Sequence, residues 1–354
     1  MRRILHVVGA RPNFMKVAPV WRALAGRARQ TLVHTGQHYD TAMSEVFFSQ
    51  LGMPAPDVNL EVGSGTHAVQ TGTTMMRLEP LFSDVRPDLV LVYGDVNSTV
   101  AAALVCAKMG IPLGHVEAGL RSGDRSMPEE INRLVTDALA DILFTPSADG
   151  NRNLAAEGIP AARVHLVGNV MIDTLVRLLP KADAAGARAR WQLPERYALV
   201  TLHRPSNVDA EEALRPLILA LAEVAAMLPV VFPVHPRTRG RLEALGLALP
   251  PGLRLLDPLG YLEFLALQRN AQVVITDSGG VQEETTFLDV PCLTMRDTTE
   301  RPVTVELGSN LLIGQDTARL VREVRRVLDG NGKRGAVPPL WDGRAAERIA
   351  ELIT

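Results

Sequence analysis

Short runs of β-branched and other apolar residues alternate with segments of helical periodicity along the whole chain. This alternation is typical of α/β proteins with parallel sheets, in which buried strands are separated by amphipathic helices. The strands predicted in the first half are Ile4–Val8, Thr31–His34, Leu89–Tyr93, Leu113–Val116, Ile142–Thr145 and Val164–Leu166. Among the intervening segments, the clearest helical patterns are Pro12–Leu24, Asp95–Met109 and Glu129–Ala140.

The same alternation begins again in the second half. The strands predicted there are Ala198–Thr201, Val230–Val234, Leu253–Leu256, Val273–Thr276, Cys292–Met295 and Leu311–Ile313. The segment Leu178–Leu193 is the expected joint between the halves. We therefore predict two Rossmann-like, doubly wound parallel-sheet domains, residues 1–175 and 176–340. If their sheets face each other, the carboxyl ends of the strands meet in one cleft, and functional residues should follow the strands.

Composition narrows the function classes. The chain has 354 residues, which suits two domains, and its net charge of −2 argues against a nucleic-acid surface. Cys106 and Cys292 both lie in apolar runs and are interpreted as buried hydrophobes. The apolar start breaks at Gly9, so we expect a strand rather than a signal peptide or membrane span, and a cytoplasmic protein. Neither a G-x-G-x-x-G nor a P-loop motif is present, and no Cys/His cluster has metal-ligand spacing, so no cofactor or metal is predicted.

Charged residues follow the strands of the first half. Arg11 and Lys16 lie at the predicted start of a helix, where two cations and free backbone amides suit a diphosphate; the alternative is a turn with two surface cations. Asp95 follows a strand and is either a helix cap or a base. Glu117 ends a very apolar strand, so it needs a partner or a raised pKa. Glu129 and its neighbour Glu130 start a helix, where carboxylates often serve only the dipole.

The second half shows the same arrangement. His203 and Arg204 follow its first strand and are predicted to contact phosphate or nucleotide. His235 follows the next strand and is expected to support or contact the nucleotide. The run TDSGGVQEE turns from a strand into a helix, with its N-terminus offered to phosphate at Ser278, Gly279 and Gly280, and with Glu284 one turn further to accept from ribose hydroxyls. A further charged loop after a strand contains Arg301.

Together these motifs strongly resemble the non-hydrolysing UDP-N-acetylglucosamine 2-epimerase family. The resemblance runs in order from Gly9 to about Asn310, and it is carried by GARPNFMKVAPV, HTGQHYD, YGDVNSTVAAALVCAK, GHVEAGLRSGDRSMPEEINRLVTD, VGNVMIDTL, TLHRPSNVD, FPVHPRTR, GYLEFL, TDSGGVQEE and MRDTTERP. It implies a GT-B-like fold whose last helix, at 341–354, returns to the first domain. It also implies a homodimer and reversible interconversion of UDP-GlcNAc and UDP-ManNAc for polysaccharide biosynthesis, with no cofactor and no membrane or nucleic-acid partner.

The resemblance assigns a role to each matching residue. Asp95, Glu117 and Glu129 match the family's essential carboxylates, and His203 matches its essential histidine. Arg11 and Lys16 match basic residues at the active site. The UDP-binding positions of the second domain are matched by Ser278, Gly279, Gly280, Glu284 and Arg301.

Such residues suit an elimination mechanism. A carboxylate removes the C2 proton while the C1–O bond to UDP breaks, and cations with a helix N-terminus stabilise the departing diphosphate. Protonation of the glycal on the opposite face and return of UDP then give the epimer. The alternatives are epimerisation of a UDP-2,3-diacetamido-uronic acid, a GT-B glycosyltransferase, a hydrolysing epimerase and a non-enzymatic nucleotide-sugar sensor.

Overall fold

The chain folds into two compact units. A computed structural model describes residues 1–36, 48, 50–184 and 186–354. Unit 1 comprises Met1–Thr174 together with Pro339–Thr354, and unit 2 comprises Leu175–Pro338. Among the described residues, none of the helices combines the length and the apolar character needed to cross a membrane.

The described part of unit 1 contains a parallel sheet in the order β3-β2-β1-β4-β5-β6-β7. Its strands are β1 Arg3–Val8, β2 Arg29–His34, β3 Val58–Asn59, β4 Leu89–Tyr93, β5 Leu113–Val116, β6 Ile142–Thr145 and β7 Val164–Leu166. The chain builds outward from β1 on one side and then crosses to β4 on the other. In such sheets ligands bind where the order reverses, at the carboxyl ends of the strands, here β1 and β4.

Helices cover this sheet and bury its apolar side chains, such as Leu5, Val7, Val90 and Val92. They are Arg11–Ala23, His67–Val85, Asn97–Met109, Pro128–Leu139, Ala148–Ala156 and Ala345–Ile353, and the helix Val170–Ala184 starts in unit 1 and continues into unit 2.

The C-terminal segment is attached to unit 1 by specific hydrogen bonds. Buried Asp173 accepts from the backbone amides of Ala345 and Ala346, at 3.1 and 2.7 Å, and so caps the last helix. The Trp341 indole donates to the Pro146 carbonyl at 2.9 Å. Burial raises the pKa of Asp173 to about 6, although the two amides act to lower it.

Unit 2 has a second parallel sheet in the order β10-β9-β8-β11-β12-β13, which reverses between β8 and β11. Its strands are β8 Ala198–Thr201, β9 Val230–Pro233, β10 Leu253–Leu256, β11 Val273–Thr276, β12 Cys292–Thr294 and β13 Asn310–Leu312. Its helices are Ala187–Arg190, Pro205–Val208, Glu211–Met227, Pro236–Ala244, Tyr261–Arg269, Gly279–Leu288, Pro302–Glu306 and Thr317–Leu328.

The predicted α/β class with two parallel sheets is confirmed, and seven of the predicted strands have the predicted bounds. The two-residue strand β3 was missed because Val58–Asn59 is too short to show a pattern. The helix predicted from Asp95 begins instead at Asn97, after Val96 as N-cap. Both cysteines are buried and free, as predicted.

Candidate active site

The loop after β1 is fixed by Asn13, a residue that the sequence prediction did not single out. Its side-chain oxygen accepts from the backbone amides of Gly9 and Ala10, both at 3.1 Å, and its amide donates to the Tyr93 carbonyl at 2.7 Å. The loops after β1 and β4 are therefore joined at the point where the strand order reverses. Arg11 begins the helix Arg11–Ala23, and its side chain lies outside the described part of the structure, as do residues 37–40 of the HTGQHYD motif.

Lys16, one turn into that helix, donates from Nζ to Oε2 of Glu117. The two side chains are only 7% and 4% exposed. The sequence predicted that Glu117 needs a partner, and that partner is Lys16. A Cβ at Gly94 would lie 2.6 Å from the Lys16 Nζ and 3.2 Å from the Glu117 Oε2, with φ at +64°. Only glycine allows the β4 loop to lie this close to the ion pair.

Glu117 itself has a left-handed backbone, with φ of +75°. Its amide and that of Ala118 both donate to the Phe144 carbonyl, at 3.1 and 3.0 Å. For a residue with a long side chain this conformation costs about 1–3 kcal/mol, and such strain clusters at functional sites. The distortion turns the chain at the end of β5 and directs a carboxylate toward Lys16.

Asp95 follows β4 and pairs with Arg133 rather than capping the next helix. Arg133 is buried and joins Asp95 Oδ2 to Glu130 Oε2, each at 2.5 Å. Glu130 also accepts from the amides of Ser122 and Gly123, both at 3.0 Å. Burial acts to raise the pKa of Glu130, but these amides and Arg133 outweigh it and hold the pKa below its usual value. The Asp95 side chain remains 26% exposed, so its carboxylate is both oriented and accessible.

Glu129 lies apart from these pairs. It is exposed in the first turn of the helix Pro128–Leu139, and no hydrogen bond or ion pair of its side chain is found within the described ranges. Unit 1 therefore brings Lys16 together with Glu117 at the sheet edge where Asp95 also lies, while Glu129 joins neither ion pair.

In unit 2, Asp277 organises the loop after β8. It is completely buried directly after β11 and accepts from the backbone amides of His203 and Arg204, at 3.0 and 2.9 Å, and from the Asn207 side chain at 3.0 Å. Burial acts to raise the pKa of Asp277, but His203 and these donors lower it. Asp277 was missed as a site residue; its position directly after a strand was the available signal.

The His203 ring is held by the same carboxylate. Its Nδ1 lies 2.8 Å from Asp277 Oδ1, and the side chain is 58% exposed. A carboxylate at Nδ1 fixes the tautomer and the orientation of the ring, so that Nε2 is the nitrogen presented to a ligand. His235 is exposed and caps the helix Pro236–Ala244, accepting from the Arg237 amide at 3.3 Å.

Ser278 is the N-cap of the helix Gly279–Leu288, as the glycine turn predicted. A Cβ at Gly279 would lie 2.5 Å from Arg301 Nη1, so glycine permits the close approach of this guanidinium to the helix N-terminus.

Arg301 is buried and pairs with Glu283 at 2.8 Å and with Glu300. Burial acts to raise the pKa of Glu300, yet the cations of Arg301 and Arg296 hold it well below its usual value. The two carboxylates therefore hold the Arg301 guanidinium in a fixed position beside the helix N-terminus.

Glu284 lies one turn further into the same helix and is 4% exposed. The Tyr261 hydroxyl donates to its Oε1 at 2.9 Å. Burial raises the pKa of Glu284 to about 7, and the neighbouring Glu283 adds to the rise while Tyr261 opposes it. Tyr261 lies in the motif GYLEFL, but nothing in the sequence paired it with Glu284. A carboxyl that titrates near neutrality can accept from a ligand hydroxyl as a carboxylate.

Comparison with known proteins shows the family to which the chain belongs. The family model for UDP-N-acetylglucosamine 2-epimerase matches residues 22–354. The chain is 41% identical to a UDP-N-acetylglucosamine 2-epimerase of Methanocaldococcus jannaschii, over 98% of each chain. It is 42% identical to a UDP-2,3-diacetamido-2,3-dideoxy-D-glucuronate 2-epimerase of Pseudomonas aeruginosa, over 99% of each chain.

Comparison with solved structures indicates the same family as comparison of the sequences. The crystal structure of the M. jannaschii UDP-GlcNAc 2-epimerase in complex with UDP-GlcNAc and UDP matches with a TM-score of 0.91 and 40% identity, over 99% of each chain. The shared fold is of the GT-B-like class, with two parallel-sheet α/β units, as the resemblance implied. The chain therefore belongs to the UDP-N-acetylglucosamine 2-epimerase family of enzymes.

Proposed function

We propose that this enzyme interconverts UDP-GlcNAc and UDP-ManNAc by eliminating UDP across C1 and C2. The glycal is then protonated at C2 on the opposite face, and UDP returns to C1. The observation that carries the proposal is the buried Lys16–Glu117 pair, held at a strained backbone beside the Asp95 loop. Removing both charges from water costs free energy, so an ion pair this buried at the end of a central strand indicates a functional site.

The acid–base groups are assigned to unit 1. The C2 proton of the sugar is not acidic in the ground state, so a base must act while positive charge develops at C1. Glu117 or Asp95 removes that proton. The other group, in its protonated form, then donates a proton to C2 on the opposite face of the glycal. Each such step is worth about 10²–10⁴-fold in rate. Lys16 pairs with Glu117 in the resting enzyme and can shift toward the departing oxygen as charge develops there.

The nucleotide is assigned to unit 2. The helix N-terminus at Ser278–Gly280 and the Arg301 guanidinium suit the diphosphate, since both direct N–H donors and positive charge at one place. Glu284 suits a ribose hydroxyl. His203 is oriented by Asp277, and when its ring is protonated its Nε2 can donate to the leaving phosphate oxygen. Arg204, His235 and Arg11 are assigned supporting contacts with the nucleotide.

Proton exchange at C2 tests the proposal directly. The pure enzyme is incubated with UDP-GlcNAc in D₂O and followed by proton NMR. We expect deuterium at C2 together with a growing UDP-ManNAc signal. Glu117→Gln should lose at least about 100-fold in exchange while still binding UDP. Asp88→Asn is the matched control, because Asp88 pairs with Arg3 at the amino ends of β1 and β4, away from the proposed site. Wild-type enzyme that exchanges no C2 proton would refute the function.

The 42% identity to the P. aeruginosa enzyme favours one alternative substrate. The same NMR assay with UDP-2,3-diacetamido-2,3-dideoxy-D-glucuronate decides between the two. A ratio of kcat/KM above about tenfold for the uronate would move the substrate assignment there while leaving the C2 chemistry in place.

We also propose a cytoplasmic homodimer whose product serves polysaccharide biosynthesis. The helix His67–Val85 supports self-association, because it exposes Val69 and Met76, two turns apart on one face. Light scattering after size exclusion checks it: a monomeric mass at micromolar concentration would contradict the dimer.

A further inference from the structure

His115 is a completely buried histidine that the proposed chemistry does not use. It lies in β5, two residues before Glu117. Its Nδ1 is 2.7 Å from Asp137 Oδ1, and its Nε2 is 2.8 Å from the Gly94 carbonyl oxygen. Asp137 and the Gly94 carbonyl are both acceptors, so each ring nitrogen of His115 faces a group to which it can donate. The histidine thus attaches the loop after β4 to the helix that supplies Asp137.

Asp137 extends this attachment to the loop after β5. It is completely buried in the helix Pro128–Leu139. Its second oxygen accepts from the Gly119 backbone amide at 3.0 Å and from Arg121 at 2.7 Å. Burial acts to raise the pKa of Asp137, but the charges and hydrogen bonds of His115 and Arg121 lower it. The Asp137 carboxylate therefore contacts His115, which precedes Glu117 in the chain, and Gly119 and Arg121, which follow it.

The network ends on the backbone that carries the reacting groups. Gly94 directly precedes Asp95, and Gly119 lies two residues after Glu117, whose φ of +75° requires surroundings that fix it. Gly119 is itself restrained, because a Cβ there would lie 2.6 Å from the Gly150 carbonyl oxygen. His115 and Asp137 therefore contact peptide groups that directly adjoin Asp95 and lie close to Glu117.

We propose that His115 and Asp137 are positioning residues that hold Glu117 in its left-handed conformation and thereby direct its carboxylate toward Lys16. In kinetic terms the inference rests on the proposed epimerase function. In structural terms it stands independently, because it predicts a backbone geometry that does not depend on the substrate.

The kinetic test uses Asp137→Asn. In this variant an NH₂ group replaces one carboxylate oxygen and faces groups that donated a hydrogen bond to that oxygen. We expect kcat to fall about 100-fold, as for a reacting group displaced by about 1 Å, while KM changes less than about threefold. The matched control is Asp173→Asn, since Asp173 is also buried in unit 1 and also accepts from two backbone amides. The control should lose stability but keep kcat.

A histidine series provides the conservative rescue. His115→Gln can still donate to the Gly94 carbonyl and should retain at least about tenfold more activity than His115→Phe, which cannot. Equal activity of these two variants, or an equal loss of kcat in Asp137→Asn and Asp173→Asn, would overturn the positioning role.

A crystal structure of Asp137→Asn gives a readout without substrate. We expect Glu117 to leave the positive-φ region and its contact with Lys16 to open. Retention of φ near +75° with that contact intact would overturn the inference, even if the variant were slow. Where Asp137→Asn does not fold, His115→Gln takes its place in both experiments. A wild-type enzyme inactive on UDP-GlcNAc would count against the proposed function alone, since the crystal structure would still decide the geometry.

Discussion

Glu284→Gln should make the protein more stable above neutral pH while weakening UDP binding. Wild-type Glu284 is buried, and its pKa is about 7 rather than 4.5. Between these values the folded chain keeps a proton that the unfolded chain has released. The free energy of unfolding therefore falls as pH rises from 4.5 to 7. At about 1.4 kcal/mol for each pKa unit, the carboxylate costs the folded state about 3 kcal/mol once it is ionised.

Glutamine removes this cost because it has nearly the same shape and stays neutral, and its carbonyl can still accept from the Tyr261 hydroxyl. We expect equal stabilities near pH 4.5 and an advantage of the variant that grows to about 3 kcal/mol near pH 8. Asp173, whose pKa is also raised, titrates in both proteins and cancels from the difference.

Urea unfolding at several pH values between about 4.5 and 8, followed by circular dichroism, measures this difference. UDP titration calorimetry on the same samples should show binding weakened about tenfold in the variant, through loss of a charged acceptor. A stability difference that does not change with pH would refute the assignment of the raised pKa to Glu284. A variant less stable than wild type near pH 8 would show that the carboxylate is better solvated than its burial indicates.

Three further substitutions separate structural from chemical roles. Glu117→Gln leaves the Lys16 ammonium buried without an anion, so urea unfolding should show a loss of about 3 kcal/mol in addition to the lost turnover. Asp277→Asn should lower kcat about 100-fold by releasing the His203 ring, and proton NMR should show the Nδ1–H signal lost. Glu129→Ala should stay within about 0.5 kcal/mol of wild-type stability yet lose about 100-fold in turnover; full activity would remove Glu129 from the catalytic set.

The sequence predicts where in the fold the candidate residues lie because parallel strands impose a simple rule. Each predicted strand is a short apolar run, and the polar residues that follow it lie at the carboxyl edge of a sheet. The rule predicts the positions of Lys16, Asp95, Glu117 and His203 after strands, and their roles in the reaction stay predictions.

The partners of those residues could not be assigned. Arg133 reaches Asp95 across 38 positions of the chain, and Asp277 reaches His203 across 74. Such contacts depend on the register of neighbouring strands and on the rotation of a helix, neither of which is encoded locally. The left-handed backbone of Glu117 was equally hidden, since glutamate does not favour that conformation.

The division of the chain into two units bears on the order in which they can fold during synthesis. Unit 2 is one continuous stretch, whereas unit 1 needs Pro339–Thr354 to complete its packing. During synthesis unit 2 is therefore fully translated before unit 1 receives the segment that contributes Trp341 and the helix capped by Asp173. A circularly permuted gene that places Pro339–Thr354 ahead of Met1 would let unit 1 complete itself first. Comparing its refolding with that of the natural order would show whether the late segment limits the rate.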